Sequence, residues 1–170
     1  PHRLIRRQRQ MCIRDRAHIS LAKLVFRTDA RGSEIDAITR KALWEQGMDY
    51  NHGTGHGVGY CLGVHEFPPT ISKNSDSILM IGQLLSNEPG FYIPRKFGIR
   101  LENLILVKKF SNSIHNKFFC FETVSFCHFE NTLINRDLLD NKEVHWLNDY
   151  HETVFHKLKN FLSQDVRKWL

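Results

Sequence analysis

The sequence is short of the residues that mark extracellular scaffolds, membrane spans and biased tracts. It has four cysteines (Cys12, Cys61, Cys120 and Cys127) in 170 residues, none in CxxC spacing. That is no disulfide framework, and they read as reduced thiols of a cytoplasmic protein, with Cys61, Cys120 and Cys127 in apolar surroundings. No apolar run approaches the ~18 residues that a bilayer span requires. The best stretch, Ile78 to Leu85, is interrupted by Gly82 and Gln83. Only 5 prolines, no repeat and no low-complexity segment exclude collagen-like and disordered classes.

A basic body is missing too. The formal charge is +6, which by itself invites a nucleic-acid reading. Residues 1–16 account for most of it, with six Arg against Asp15, a balance of +5. The other 154 residues carry 18 Lys and Arg against 17 Asp and Glu. No nucleic-acid or membrane partner is therefore expected. The basic start is followed by no apolar segment of the kind a secretory signal needs. It shows no periodicity that predicts a buried face, and Met11-Cys12-Ile13-Arg14-Asp15-Arg16 resembles the translated end of a sequencing-library adapter. Residues 1–16 are accordingly read as a non-native basic tail, with the protein proper beginning part-way through a longer chain.

What is present is a globular sequence, 41% hydrophobic and 25% charged, with material for one core. Ile19, Leu21, Leu24 and Val25 predict a short helix from Ala17. Ser33 reads as an N-cap, with Ile35, Ile38, Ala42 and Leu43 at helical spacing and Gly47 ending the helix near Gln46. Gly-dense strands follow through Val64, then a turn-rich loop from Phe67 to Ser77. The segments Ile78–Leu85, Phe91-Tyr92, Ile99–Val107 and the aromatic Phe118–Phe121 read as strands, and Leu138–Leu170 reads as helix. The expected class is α+β.

The chemistry concentrates after Tyr50. His52-Gly53-Thr54-Gly55-His56-Gly57-Val58-Gly59 places four glycines in eight residues, a poor helix and a strand that another backbone or a ligand can approach closely. In an extended chain His52, Thr54, His56 and Val58 share a face. Two imidazoles there fit a metal or substrate site, or a plain structural pair. His65 follows nine residues after His56, then Ser86-Asn87-Glu88-Pro89-Gly90 and Gly98-Ile99-Arg100-Leu101-Glu102-Asn103. Alternation sets Arg100 and Glu102 on one face with Leu104 and Leu106. A carboxylate among leucines must be paired or bound to metal, while an Arg100–Glu102 ion pair on a solvated face is the alternative. Glu88 alone reads better as a turn residue.

Taken together and in order, HGTGHGVG, VHE, SNEPGFY and GIRLEN resemble the C-terminal half of the catalytic domain of the Xaa-Pro aminopeptidases, in the pita-bread metallopeptidase family. Ala42-Leu43-Trp44, Gly47-Met48-Asp49-Tyr50 and Trp146-Leu147-Asn148-Asp149-Tyr150-His151 extend the likeness over nearly everything from Ala17 onward. The resemblance implies a partial pita-bread fold over 17–112 and a strand and helical extension over 113–170. It implies that His56 and Glu88 bind one divalent metal and that Glu102 bridges it to a second, the pair being manganese. It further implies that His52 and His65 hold peptide and move protons, and that Arg100 orients Glu102 or the substrate. The same resemblance implies that substrates are peptides with proline in the second position and that the complete enzyme is a homo-oligomer.

The family also uses two aspartates on a hairpin ahead of the helix that begins near Ala17. None of Asp15, Asp29 or Asp36 matches them. The chain is therefore expected to hold at most one metal and to be inactive alone, with an exposed sheet edge. A prolidase or methionine aminopeptidase relative shares the ligand set. A pita-bread protein that binds partners without catalysis is the non-enzymatic alternative, and retention of His56, Glu88 and Glu102 argues against it.

Overall fold

The structure, a computed structural model, describes residues 2–61, 63–112 and 117–170, with side chains from residue 11 onward. Residues 113–116, at the boundary drawn at 112/113 and within the expected loop Ser111–Asn116, lie outside the described residues.

Residues 2–16 are helical, contrary to expectation. Helix α1 runs unbroken over His2–Ala22 and buries Ile13, Ala17 and Leu21. These recur at i, i+4 and i+8, the spacing of one helix face, but the pattern straddles the 16/17 boundary and is invisible when either side is read alone. After β1 (Val25–Arg27) comes α2 (Gly32–Trp44). Its cap is Arg31 rather than Ser33, and Glu34 reaches back to the Arg31 N–H at 2.8 Å, satisfying a donor that the helix leaves open. Gly47 closes the helix as expected, with φ +65° and the Met48 N–H bonded to the Leu43 carbonyl at 3.0 Å.

Strands β2 (Gly55–Gly57), β3 (Glu66–Ile71), β4 (Leu84–Asn87), β5 (Gly90–Ile93), β6 (Phe97–Arg100), β7 (Asn103–Lys109) and β8 (Phe118–Thr123) follow. Among the described residues, five of these and β1 form one antiparallel sheet in the order β1-β8-β7-β4-β2-β3, and β5-β6 is a separate hairpin. Part of the expected loop from Phe67 is thus strand. As the edge, β3 accommodates Pro68 and Pro69 because the missing N–H groups cost no ladder bond there. The core between the sheet and the first two helices gathers Leu21, Phe26, Ile35, Leu85, Ile105 and Val107. A second cluster is built on Phe129, Leu147, Tyr150 and Val154.

The expected C-terminal helix is broken into α3 (Asn141–Leu158), a 3-10 turn (Lys159–Phe161) and α4 (Gln164–Trp169). Asp140 caps α3, accepting from the Glu143 N–H at 2.8 Å, while Glu143 accepts from the Asp140 N–H. Glu143 also pairs with Arg16 at 3.0 Å, tying α3 to α1. The cysteines are free, but it is Cys12 that is buried; Cys61 and Cys127 are exposed. Cys61 falls in a bend beyond β2 and Cys127 beyond β8, where no strand turns the side chain inward.

Candidate metal centre

Two strands bring the centre together. A Cβ at Gly55 would stand 2.0 Å from the Ser86 carbonyl oxygen, so glycine is what lets β2 approach β4 this closely. The next residue, His56, donates its backbone N–H to Ser86 Oγ at 3.0 Å, and that hydroxyl donates to Glu88 Oε1 at 2.9 Å. The Glu88 N–H in turn donates to the Thr54 carbonyl at 2.9 Å. The backbones carrying His56 and Glu88 are therefore bonded to each other directly and through Ser86.

His56 Nδ1 lies 2.9 Å from the Gly57 carbonyl oxygen. A carbonyl only accepts, so Nδ1 carries the proton and Nε2 presents a lone pair. That lone pair stands 3.2 Å from Glu88 Oε1. Two acceptors this close require a positive charge, a proton or a metal ion. Glu102 supplies the third donor, and one ligand atom from each of His56, Glu88 and Glu102 lies within 4.8 Å of the others. One imidazole with two carboxylates is a donor set suited to first-row divalent metals. The residues present fit such an ion.

Glu102 differs from expectation in its surroundings. It is exposed rather than buried among leucines. The chain leaves β6 at Arg100 and enters β7 at Asn103, so the alternation does not run through residues 101 and 102, and Ile105 and Val107 face the core instead of Leu104 and Leu106. Arg100 pairs with Glu88, Nη1 to Oε2 at 3.0 Å.

The remaining expected residues line the same cleft, a space of about 440 Å³ bounded by His52, His56, His65, Phe67, Glu88 and Arg100 among others. Arg100 Nε donates to the Tyr92 hydroxyl at 2.9 Å, and that hydroxyl is 3.0 Å from His52 Nε2. Because His52 Nδ1 faces the Gly53 carbonyl at 2.7 Å, Nδ1 holds the proton and Nε2 accepts from Tyr92. Burial holds the His52 pKa below the usual imidazole value, in keeping with this neutral tautomer. The exposed His65 lies between His56, with ring centroids 4.2 Å apart, and the parallel ring of Phe67 at 6.2 Å. The shared face predicted for His52, Thr54, His56 and Val58 does not form. Strand β2 starts only at Gly55, and Thr54 is buried against Asp36 and Tyr50.

The loop before β2 hangs on one side chain. Arg40, with no exposed surface, donates to Asp36 at 2.7 Å, to Asp49 at 2.6 Å, to the Tyr50 carbonyl at 2.8 Å and to the His52 carbonyl at 2.7 Å. Its guanidinium also lies 3.7 Å above the Tyr50 ring. Arg40 and Tyr92 had no place in the sequence-based site. A signal for Tyr92 exists in its neighbours: Gly90 and Gly98 flank it across the hairpin, and a Cβ at either would fall within 2.6 Å of its side chain. Arg40 carries no such mark, since Asp36 and Arg40 at i, i+4 look like an ordinary surface pair.

Residues 6–109 match the family described as metallopeptidase family M24, and residues 117–170 match the C-terminal region of peptidase M24. The chain belongs to metallopeptidase family M24. Among relatives of this M24 chain, the probable Xaa-Pro aminopeptidase P of Coprinopsis cinerea is 41% identical over 161 residues, which is 90% of this chain and 26% of that protein. Xaa-Pro aminopeptidase 1 of Dictyostelium discoideum is 40% identical over 147 residues, covering 84% of this chain and 23% of its own length. The crystal structure of X-prolyl aminopeptidase from Caenorhabditis elegans, described as a cytosolic enzyme with a di-nuclear active site, superposes with a TM-score of 0.87 at 34% identity, over 99% of this chain and 28% of that one. An Xaa-Pro dipeptidase from Bacillus anthracis superposes with a TM-score of 0.54 at 33% identity, over 64% of this chain and 29% of its own. The M24 chain thus spans about a quarter of the length of these relatives and carries the C-terminal part of the pita-bread fold expected from its motifs. Among the described residues, no helix is long and apolar enough to cross a membrane.

Proposed function

We propose that this chain is the C-terminal catalytic segment of a cytoplasmic, homo-oligomeric Xaa-Pro aminopeptidase that removes the first residue from peptides with proline in second position. The observation that carries the reading is the convergence of His56, Glu88 and Glu102 to within 4.8 Å. His56 Nε2 and a Glu88 oxygen would hold one divalent cation, manganese in our reading, and Glu102 would bridge it to a second. When bound, the metal pair supplies an activated water and polarises the scissile carbonyl.

The chain's own groups have separable tasks. Arg100 neutralises Glu88 and fixes which of its oxygens faces the cation. Tyr92, held by Arg100, keeps His52 in the tautomer whose Nε2 can exchange a proton with the substrate once the hydroxyl turns away. His65, exposed in the cleft beside His56, is free to meet the developing oxyanion. Phe67 forms the apolar wall next to it.

In the same reading, residues 1–16 do not supply the two aspartates needed for the second metal, which belong to native sequence ahead of residue 17. The chain alone would then bind at most one cation and turn over no peptide. Sequencing the genomic DNA ahead of codon 17 is expected to reveal that aspartate pair. A native reading frame without it would favour a partner-binding protein. With the frame restored, Mn²⁺-dependent release of the first residue from an Arg-Pro-Pro peptide supports the aminopeptidase. Cleavage of Xaa-Pro dipeptides but not of longer peptides would overturn it in favour of prolidase.

A further inference from the structure

The two glutamates of the centre each have an asparagine as neighbour, and both asparagines point away from the cleft into one buried polar knot. Asn87 precedes Glu88 at the end of β4, and Asn103 follows Glu102 at the start of β7. They are cross-strand partners in the sheet, and both are buried. Each asparagine is one peptide bond from a glutamate of the centre, so anchoring Asn87 and Asn103 behind the sheet limits where Glu88 and Glu102 can stand.

The anchor is His18 of α1, which has no exposed surface. Its Nε2 lies 2.8 Å from Asn103 Oδ1, and its backbone carbonyl accepts from Asn87 Nδ2 at 3.0 Å. Asn103 is gripped on its other side, where Nδ2 donates to the Ser125 carbonyl at 2.8 Å and to the Tyr150 hydroxyl at 3.1 Å. That grip makes Oδ1 the acceptor and His18 Nε2–H the donor. Burial holds the imidazole neutral, with its pKa lowered to about 3. Its ring meets Phe129 edge-on, with centroids 5.3 Å apart. A leucine would fill such a place. What histidine adds is one directed N–H on the residue beside Glu102, from the same residue whose carbonyl holds the neighbour of Glu88.

We propose that His18 is a positioning residue for the metal centre, setting the spacing of Glu88 and Glu102 from behind through Asn87 and Asn103. The proposal rests on the metal reading given above for its purpose. Its geometry can be tested with or without metal.

The test uses the full chain with three variants. His18→Leu removes the N–H at similar bulk, His18→Gln returns an amide N–H near the Nε2 position, and His18→Asn places its amide too short to reach Asn103. Mn²⁺ affinity is measured by titration calorimetry, and the Glu88 and Glu102 side-chain carboxyl carbons are followed by ¹³C NMR without metal. His18→Leu and His18→Asn are expected to weaken Mn²⁺ binding about 10-fold or more and to shift both carboxyl resonances, and His18→Gln to restore both. Equal affinity and equal resonances in Gln, Asn and Leu variants would overturn the proposal. If His18→Leu does not fold, the Gln and Asn pair decides by the same two readouts. A wild-type chain that binds no Mn²⁺ would sink the metal reading, and the carboxyl resonances would then decide on His18 alone.

Discussion

Arg40 holds His52 by its backbone: the buried guanidinium donates from Nη2 to the His52 carbonyl at 2.7 Å, across twelve residues of chain. The same group neutralises Asp36 and reaches Asp49 and the Tyr50 carbonyl. One side chain thereby closes the loop that delivers a cleft imidazole.

Arg40→Met should consequently destabilise the chain by about 3–5 kcal/mol, because Asp36 would remain as a buried carboxylate without its partner. Urea denaturation read by circular dichroism checks this. A loss below about 1 kcal/mol would mean that water or another cation replaces the guanidinium.

Removal of a metal donor should act on binding rather than on folding. His56→Ala and Glu88→Gln are each expected to weaken Mn²⁺ binding by more than about 100-fold, beyond the 10–100-fold typical of groups behind the ligands. Calorimetry on the purified chain measures it, with thermal melting as the control. Unchanged affinity in His56→Ala would remove that imidazole from the donor set.

Much of this was legible in the sequence, and the failures share a cause. Singly, the glycine-separated histidines and the two glutamates were ambiguous; it was their order and spacing together, through the family resemblance, that pointed to one site. The Gly47 helix end was equally plain. What escaped were relationships between segments: the helix face formed by Ile13, Ala17 and Leu21 across a compositional break, Tyr92 between two glycines of a hairpin, and the burial of Arg40. The exposure of Glu102 was missed because alternation was extended through two residues that belong to no strand. Local pattern reports the period of an element but not where a ladder starts, since pairing is decided by a distant partner.

Acid should destabilise the chain well before its carboxylates titrate. Burial lowers the His18 pKa to about 3, and burial followed by the nearby His128 lowers that of His151 to about 4. Unfolded, each titrates near 6.5. Below that value the unfolded state binds more protons than the folded one, so stability is full above about pH 6.5 and declines as pH falls toward the folded values. Each group contributes a slope of up to about 1.4 kcal/mol per pH unit. Urea midpoints between about pH 7 and 5 should show it, and His18→Gln should remove one group's share. Identical slopes in the two proteins would mean that His18 is already protonated or exposed.

The Tyr150 hydroxyl accepts from Asn103 Nδ2 and the Cys127 N–H, both at 3.1 Å, and donates to the Cys127 carbonyl at 2.8 Å. Tyr150→Phe should cost about 1–3 kcal/mol by taking the acceptor from the Cys127 N–H and from one Asn103 amide hydrogen. Hydrogen exchange should quicken at the Cys127 amide and leave β2 unaffected; uniform quickening across the sheet would point to a general loss of packing instead.

With the Ser86 carbonyl seated against Gly55, the distance from His56 to Glu88 is a property of main chain touching main chain. A lineage seeking a different ion preference could not widen or narrow this gap by small steps, because the first side chain added at position 55 would part the strands altogether. Selectivity here would have to drift through the identity of the donors, with the dimensions held constant.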